Sequence, residues 1–207
     1  MQTSIDKDKI SAAILAGGNN IRFKGKSKAN VTISGVRIIV RMLKVLNDIF
    51  DEIIIITDTP EDFKSFKQFK IVPDKLKNKG PLGGIHAALS TVNNDSIFVF
   101  AGDMPCLSRD IILEQIKFYK SNTANVCLPR INNNINHLHS IYNKNIFKEL
   151  DKYLTNSDRY SPKEFLKLVR KRYFYLDNTN ENQKAFAYIN SPEDIVEIQE
   201  KIYNTSV

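Results

Sequence analysis

The stretch AILAGGNNIRFKGKSKA, Ala13–Ala29, drives an apolar run into two glycines and then sets one arginine and three lysines within the next ten residues. The apolar part belongs to a longer run, Ile10–Leu15, short enough for a strand buried on both faces. A strand of that kind needs neighbours on each side and layers above and below it. Gly17 and Gly18 permit backbone torsions closed to other residues and let a ligand approach the main chain. Arg22, Lys24, Lys26 and Lys28 then ask for an anion.

The neighbours follow in the chain. Val36–Phe50 has helical spacing in Ile38, Ile39, Met42, Val45, Leu46 and Ile49. EIIIIT, Glu52–Thr57, is β-branched and reads as a central parallel strand. Thr59 and Pro60 then open a short helix as N-cap and first helical residue. FKIVPD, Phe69–Asp74, reads as a short strand, Leu82–Val92 as a helix entered through glycines, and SIFVFAGD, Ser96–Asp103, as another buried strand. Ser108 caps an amphipathic helix. NVCLPR and HLHSIY predict two strands, Asn145–Tyr153 a helix, and Pro162–Val169, RYFYLD and AFAYIN a helix followed by two strands. SPEDIVEIQEKIY is a closing helix capped by Ser191 with Pro192 behind it. Strand–helix alternation over the first hundred residues predicts an α/β fold, a mostly parallel central sheet with helices on both faces, in the Rossmann manner. With 207 residues, no internal repeat and no linker-like tract, a single domain over 1–207 is the simplest organisation.

Composition narrows the class. Hydrophobic residues make up 42%, ordinary for a globular chain. The polar start MQTSIDKDKI has no apolar segment of a signal peptide, and no run approaches the roughly 20 residues of a membrane span, so no membrane partner is expected. Cys106 and Cys127 are too few for a disulfide framework and fit a reducing cytoplasm. The net charge of +7 is spread along the chain. There is no recognisable nucleic-acid module and the aromatic residues fall mostly within apolar runs, so nucleic acid is not the expected partner. The densest basic cluster is VRKRY, Val169–Tyr173.

In an open α/β sheet ligands bind beyond the carboxyl ends of the strands. Three such ends and one helix entrance carry chemistry: LAGGNNIRFKGKSK after the first strand, Pro73-Asp74 after the third, the following KNKGPLGG before a helix, and GDMP, Gly102–Pro105, after the fourth. The loop fits neither the GxxxxGK[ST] nor the GxGxxG pattern, yet glycine N–H groups can still face a phosphate. Arg22 offers a planar fork and Lys28 a compact charge for phosphate oxygens. Asp74 and Asp103 stand at neighbouring strand tips, where two acids can hold Mg²⁺ together with phosphate oxygens and water, or each can cap the turn that follows. His137 and His139 alternate along one predicted strand face without a third ligand, and His86 lies within a helix. No covalent nucleophile is evident.

These motifs together, LAGGxxxRxxxxxK, PD, GPLGG (Gly80–Gly84) and GDMP, resemble those of the molybdenum cofactor guanylyltransferases. LPRINNNINHLHSIYNKN, Leu128–Asn145, is similar to that family's PR…PLHAIY segment, and INSPEDI, Ile189–Ile195, to its NTPEDL ending. The likeness covers nearly the whole chain in order. It implies a single nucleotidyltransferase domain with a nucleotide-binding part at about 8–107 and a pterin-binding part at about 108–207. It implies cytoplasmic transfer of GMP from GTP to the terminal phosphate of molybdopterin (Mo-molybdopterin), with release of pyrophosphate. By the same resemblance Leu15, Ala16, Gly17, Gly18, Lys28, Asp74 and Asp103 bind the nucleotide, Asp103 binds Mg²⁺, and Lys28, Arg22 and Asp103 serve catalysis. Molybdenum-cofactor delivery proteins would be its partners. Arg130 or the cluster Arg170–Arg172 could meet the pterin phosphate. The chain departs from the family at Phe23-Lys24-Gly25, where Met-Gly is usual after the arginine, at His137 in place of proline, and around Thr57-Asp58 in place of asparagine. The competing readings are another nucleotidyltransferase, acting on molybdopterin with CTP or on a sugar phosphate, and a GTP-binding partner protein without turnover.

Overall fold

The computed structural model describes residues 10–18, 27–74, 76 and 78–203. In chain order they form β1 (Ile10–Leu15), β2 (Thr32–Ile33), β3 (Val36–Arg37), α1 (Ile38–Leu46), β4 (Ile53–Ile56), β5 (Lys70–Val72), α2 (Gly80–Thr91), β6 (Ser96–Ala101) and α3 (Arg109–Ser121). There follow β7 (Val126–Ile131), β8 (Asn134–Ile135), β9 (His139–Asn143), α4 (Phe147–Asn156), α5 (Pro162–Phe165), β10 (Lys171–Leu176), α6 (Asn180–Ala185) and α7 (Pro192–Tyr203). The main sheet runs β10-β7-β9-β6-β1-β4-β5, with β8 folded back onto β7. β1 pairs in parallel with both β4 and β6. β9 is antiparallel to both of its neighbours, β6 and β7. One sheet thus takes strands from both the 8–107 and the 108–207 portions of the chain.

The apolar runs become strands because both faces are covered. Ala12, Ile14, Ile53, Ile55, Phe98 and Phe100 point to one core, shared with α1. Ala13, Ile54, Ile56, Ile97 and Val99, the alternate residues, point to another, shared with α2 and α4. This period of two is that of a pleated strand. It explains why β4 can be four isoleucines, each at most 6% exposed. Strand β4 lies one place in from the sheet edge, between β1 and β5.

Most predicted boundaries hold to within a few residues. Ser108 caps α3, its hydroxyl accepting the N–H of Ile111 at 3.4 Å. At α7 the Asp194 carboxylate accepts the N–H groups of Asn190 and Ser191 at 2.6 and 2.9 Å, the reciprocal half of a capping box. The segment after Pro60 is a 3₁₀ helix, Pro60–Phe66, and Thr59 makes no side-chain cap bond to it. The segment Val36–Phe50 gives its first two residues to β3, which pairs with β2, before α1 begins. AFAYIN is not a strand. Its first residue, Ala185, closes the helix α6, which Thr179 caps by accepting the N–H of Asn182 at 3.1 Å, and residues 186–190 then cross the carboxyl edge of the sheet. There Ile189 donates its N–H to the carbonyl of Asp103 at 3.0 Å, so the segment bonds to a strand end and not to a strand edge.

Candidate active site

The carboxyl ends of β1, β4, β5 and β6 close around a cavity of about 910 Å³. Leu15, Ala16, Gly17, Gly18, Lys28, Asp74 and Asp103 all line it. The tip of β1 is held from both sides: Ala16 donates its N–H to Ile56 at 2.8 Å, and Leu15 accepts the N–H of Gly102 at 2.9 Å. Gly102 has no room for a side chain, since a Cβ there would lie 2.9 Å from the Leu15 carbonyl oxygen and 3.0 Å from the Ala16 Cα. Gly18 adopts φ +126°, where a side chain would be strained. The two glycines that follow β1 thus continue the strand end as bare backbone facing the cavity.

Arg22, Lys24 and Lys26 lie outside the described residues. Where the chain resumes, the buried Ser27 donates its hydroxyl to the carbonyl of Ala16 at 2.7 Å, tying the return of the loop to the end of β1. Lys28 is thereby set over the cavity. Its Nζ donates to Asp103 Oδ2 at 2.9 Å and to Asn190 Oδ1 at 3.0 Å. The ion pair is partly exposed, with side chains 24% and 16% accessible, so its charges remain open to a ligand. Asp74 stands opposite, beyond β5. Its Oδ1 accepts the N–H of Leu76 at 2.9 Å, and its carboxylate rests on Gly83 of α2, where a Cβ would come within 2.5 Å of Oδ2. Burial raises the Asp74 pKa above the ordinary 3.8; the Leu76 N–H opposes this, the charge of Asp58 adds to it, and His86 opposes it. The second glycine of the pair, Gly84, admits the Leu15 side chain against the helix. GPLGG is therefore the first turn of α2, shaped so that an acid and a strand tip can press on it.

A second cavity of about 780 Å³ adjoins the first. Pro81, Leu138 and Tyr188 border both. Its other walls include Pro129 of β7, Asn136 and His137 before β9, and Phe186. The reversed direction of β9 brings its amino-terminal end to the carboxyl edge of the parallel strands, and this makes the second cavity possible. His137 is a wall residue here, its pKa lowered by burial and then by the charge of Lys163. His139 does not share its setting. It is fully buried among Phe98, Phe100 and Phe186, with Nδ1 3.2 Å from Gln115 Oε1. His86 is also buried, 3.0 Å from Asp151 and stacked on Phe147.

The two expected phosphate-binding basic groups of the second half are placed otherwise. Arg170–Arg172 sits at the start of β10, which runs parallel to β7 with Lys171 opposite Val126, at the edge of the sheet away from both cavities. Arg130 lies at the correct end of β7 but is folded back, donating to the Asn132 carbonyl at 2.8 Å and to Asn133 Oδ1 at 3.2 Å, and it lines neither cavity. Sequence reasoning missed Tyr188 and Asn190, because AFAYIN read as a strand.

Residues 12–172 match the family model described as the MobA-like NTP transferase domain. The chain belongs to the MobA-like NTP transferase family. It is a nucleotidyltransferase. Among its curated relatives is a protein named probable molybdenum cofactor guanylyltransferase from Natranaerobius thermophilus, 32% identical over 205 residues that cover 96% of this chain and 98% of the relative. The protein named molybdenum cofactor guanylyltransferase from Syntrophotalea carbinolica is 31% identical over 163 residues, covering 79% of this chain and 76% of the relative. The fold of this transferase is similar to that of the crystal structure titled molybdopterin-guanine dinucleotide biosynthesis protein A from Archaeoglobus fulgidus, with a TM-score of 0.81 at 22% identity over 94% of this chain and 99% of that one. It is also similar to the 4-diphosphocytidyl-2C-methyl-D-erythritol synthase structure from Anaerococcus prevotii, with a TM-score of 0.73 at 16% identity over 96% and 98%.

Proposed function

We propose that this transferase moves GMP from GTP to the terminal phosphate of molybdopterin, releasing pyrophosphate, in a cytoplasmic pathway of molybdenum cofactor biosynthesis. The observation that carries the reading is the joined pair of cavities. One has glycine backbone, Lys28, Asp74 and Asp103 on its walls, and the other is large enough for a separate acceptor. The nucleotide would occupy the first, formed mainly within residues 8–107, and the acceptor the second, formed mainly within 108–207. Guanine presents two hydrogen-bond donors along one edge, and the carboxylates of Asp58 and Asp74 on the wall of the first cavity are acceptors for such an edge.

An oxygen of the acceptor phosphate attacks the α-phosphorus of GTP, and the bond from that phosphorus to the α–β bridging oxygen breaks, leaving pyrophosphate. The attacking phosphate monoester is already largely ionised near neutral pH, so no strong base is needed. The work is alignment of two polyanions and relief of their charge. Lys28 supplies a cation from the loop, the N–H groups around Gly17 and Gly18 supply backbone donors, and Arg22 would join them from the same loop. Asp103 suits Mg²⁺, which takes one or two carboxylates and leaves its other positions to phosphate and water. Among the described residues no group of three or more His, Cys, Asp or Glu could hold a metal, so the protein offers Asp103 to an ion shared with the substrate. Bound there, Mg²⁺ would neutralise charge on the phosphate oxygens.

The test is to incubate the purified protein with Mg²⁺, molybdopterin and GTP, CTP or ATP in turn and to follow pyrophosphate. GTP should be the preferred donor. Faster release with CTP would assign the protein to cytidylyl transfer, and no release with any donor would overturn transfer to molybdopterin.

A further inference from the structure

The Lys28 ammonium has three N–H bonds to give. Asp103 Oδ2 takes one at 2.9 Å and Asn190 Oδ1 a second at 3.0 Å. The third is left for an anion in the cavity that all three residues line. The two acceptors differ in charge. Asp103 is an acid, and an ammonium held by it alone is drawn into a closed pair whose charges cancel. Asn190 is a neutral amide. It fixes a direction without taking up charge, so the ammonium is held between two oxygens and its field stays open to the cavity.

Asn190 is itself fixed on both sides. It follows the fully buried Ile189, whose N–H is bound to the carbonyl of Asp103 at 3.0 Å. Its own N–H is bound by Asp194 Oδ2 at 2.6 Å, and that of Ser191 by the same oxygen at 2.9 Å. Asp194 belongs to the first turn of α7. At the other end of the contact, Ser27 ties the residue before Lys28 to the carbonyl of Ala16. A flexible four-carbon stem thus starts from one fixed point, the end of the loop after β1, and its charged head meets two others, the tip of β6 and the segment before α7. The last lies 162 residues further along the chain.

We infer that Asn190 is a positioning residue of the donor site: it holds the Lys28 ammonium beside Asp103 with one N–H directed to the nucleotide phosphates, and it serves there because it is uncharged. It acts through Lys28 and not by touching the nucleotide. The inference deepens the proposed function and rests on its donor half, GTP in the first cavity.

Asn190→Leu keeps the volume and removes the acceptor. Asn190→Asp keeps the shape and the acceptor and adds the charge that cancels Lys28. An acid beside a helix N-terminus is electrostatically favourable, so the thermal midpoint of Asn190→Asp should match or exceed that of the wild type. The dissociation constant for GTP, measured by calorimetry with Mg²⁺ in excess and no acceptor, should rise by about three- to tenfold in Asn190→Leu, the range of one hydrogen bond. It should rise at least as much in Asn190→Asp. The constant for guanosine, which has no phosphate, should stay within about twofold in both. In a Lys28→Ala background Asn190→Leu should weaken GTP binding by less than about twofold more, as expected of two residues acting as one. Unchanged GTP affinity in Asn190→Asp would overturn the inference. So would a loss shared by guanosine, which would make the role structural, or a full loss from Asn190→Leu without Lys28, which would make Asn190 a direct contact. The readout is nucleotide binding, so a failure of transfer to molybdopterin is seen separately, and a wild type that does not bind GTP would overturn the donor reading and this inference together.

Discussion

Asp103 is bound to its surroundings in two separable ways. Its carbonyl accepts the N–H of Ile189, and its carboxylate accepts the Lys28 ammonium. The first bond fixes the backbone whatever the charge of the side chain, and the second is partly exposed and contributes little to stability. Asp103→Asn should therefore fold normally, with a thermal midpoint close to that of the wild type in the absence of nucleotide. Turnover should fall by about a hundredfold or more, as when a group that stabilises transition-state charge is lost, with partial recovery at high Mg²⁺ or with Mn²⁺, since a neutral amide oxygen is a poorer ligand for a hard dication. Near-normal turnover at limiting Mg²⁺ would remove Asp103 from the chemistry. That Asp103 and Lys28 belong together could be read from their positions beyond two strands. Their meeting with Asn190 could not, because it depends on residues 186–190 crossing the sheet edge.

At the scale of the element, the strand tips and the helix that faces them are packed through glycines with unequal freedom. At Gly83 an added methyl would meet the Asp74 carboxylate and the Leu76 carbonyl. The carboxylate can swing away, and alanine is better in a helix than glycine by about 1 kcal/mol. Gly83→Ala should thus raise KM for GTP by about tenfold with little change in thermal midpoint. At Gly102 the methyl would meet the main chain of Leu15 and Ala16 at the tip of β1 and the Cβ of Ala29. Nothing there can rotate aside, and Gly102→Ala should cost about 1–3 kcal/mol as an overpacked site, lowering the midpoint by about 2–4 °C per kcal/mol. A Gly83→Ala protein with normal KM, or a Gly102→Ala protein of full stability, would contradict this account. The existence of these turns was evident from GG, GPLGG and GD, since glycines after buried strands have few other uses. Which glycine guards the site and which guards the fold was not, because that depends on what the missing Cβ would strike. AFAYIN failed for a related reason: alternation of large and small apolar residues suits an edge strand and also a segment laid across strand ends. The cap Thr179 and the helix-forming residues of NENQKA were the overlooked signal. Basic clusters were visible as charge, but only the direction of β10 shows that Arg170–Arg172 lies at the far edge.

For the molecule as a whole, the fully buried His139 makes stability depend on acidity. Its pKa is lowered from 6.5 to about 3 by burial, and its Nε2 has no partner. Between those values the unfolded chain takes up a proton that the folded chain refuses. Stability is therefore fully present above pH 6.5 and declines as the pH falls toward 3, with a slope approaching about 1.4 kcal/mol per pH unit. Urea midpoints measured from pH 7 to pH 5 should show this slope. His139→Gln, which can still offer a donor to Gln115 and does not titrate, should flatten it. Equal slopes in the two proteins would show that the acid sensitivity comes from elsewhere.

The place of β9 also governs the order in which the sheet can be completed. β7 is made before β9, yet it reaches β6 only through it, because β9 lies between the two in the sheet. When a ribosome has released the chain as far as Ile131, β6 has one open edge and β7 has no strand of the main sheet to join. Only when residues to Asn143 emerge can the reversed strand close the gap, and β10 then adds beyond β7. The first half of the molecule can assemble as it is synthesised. The second must wait for a strand that arrives late and takes a middle position, and until then two apolar strand edges stay open to the wrong partners.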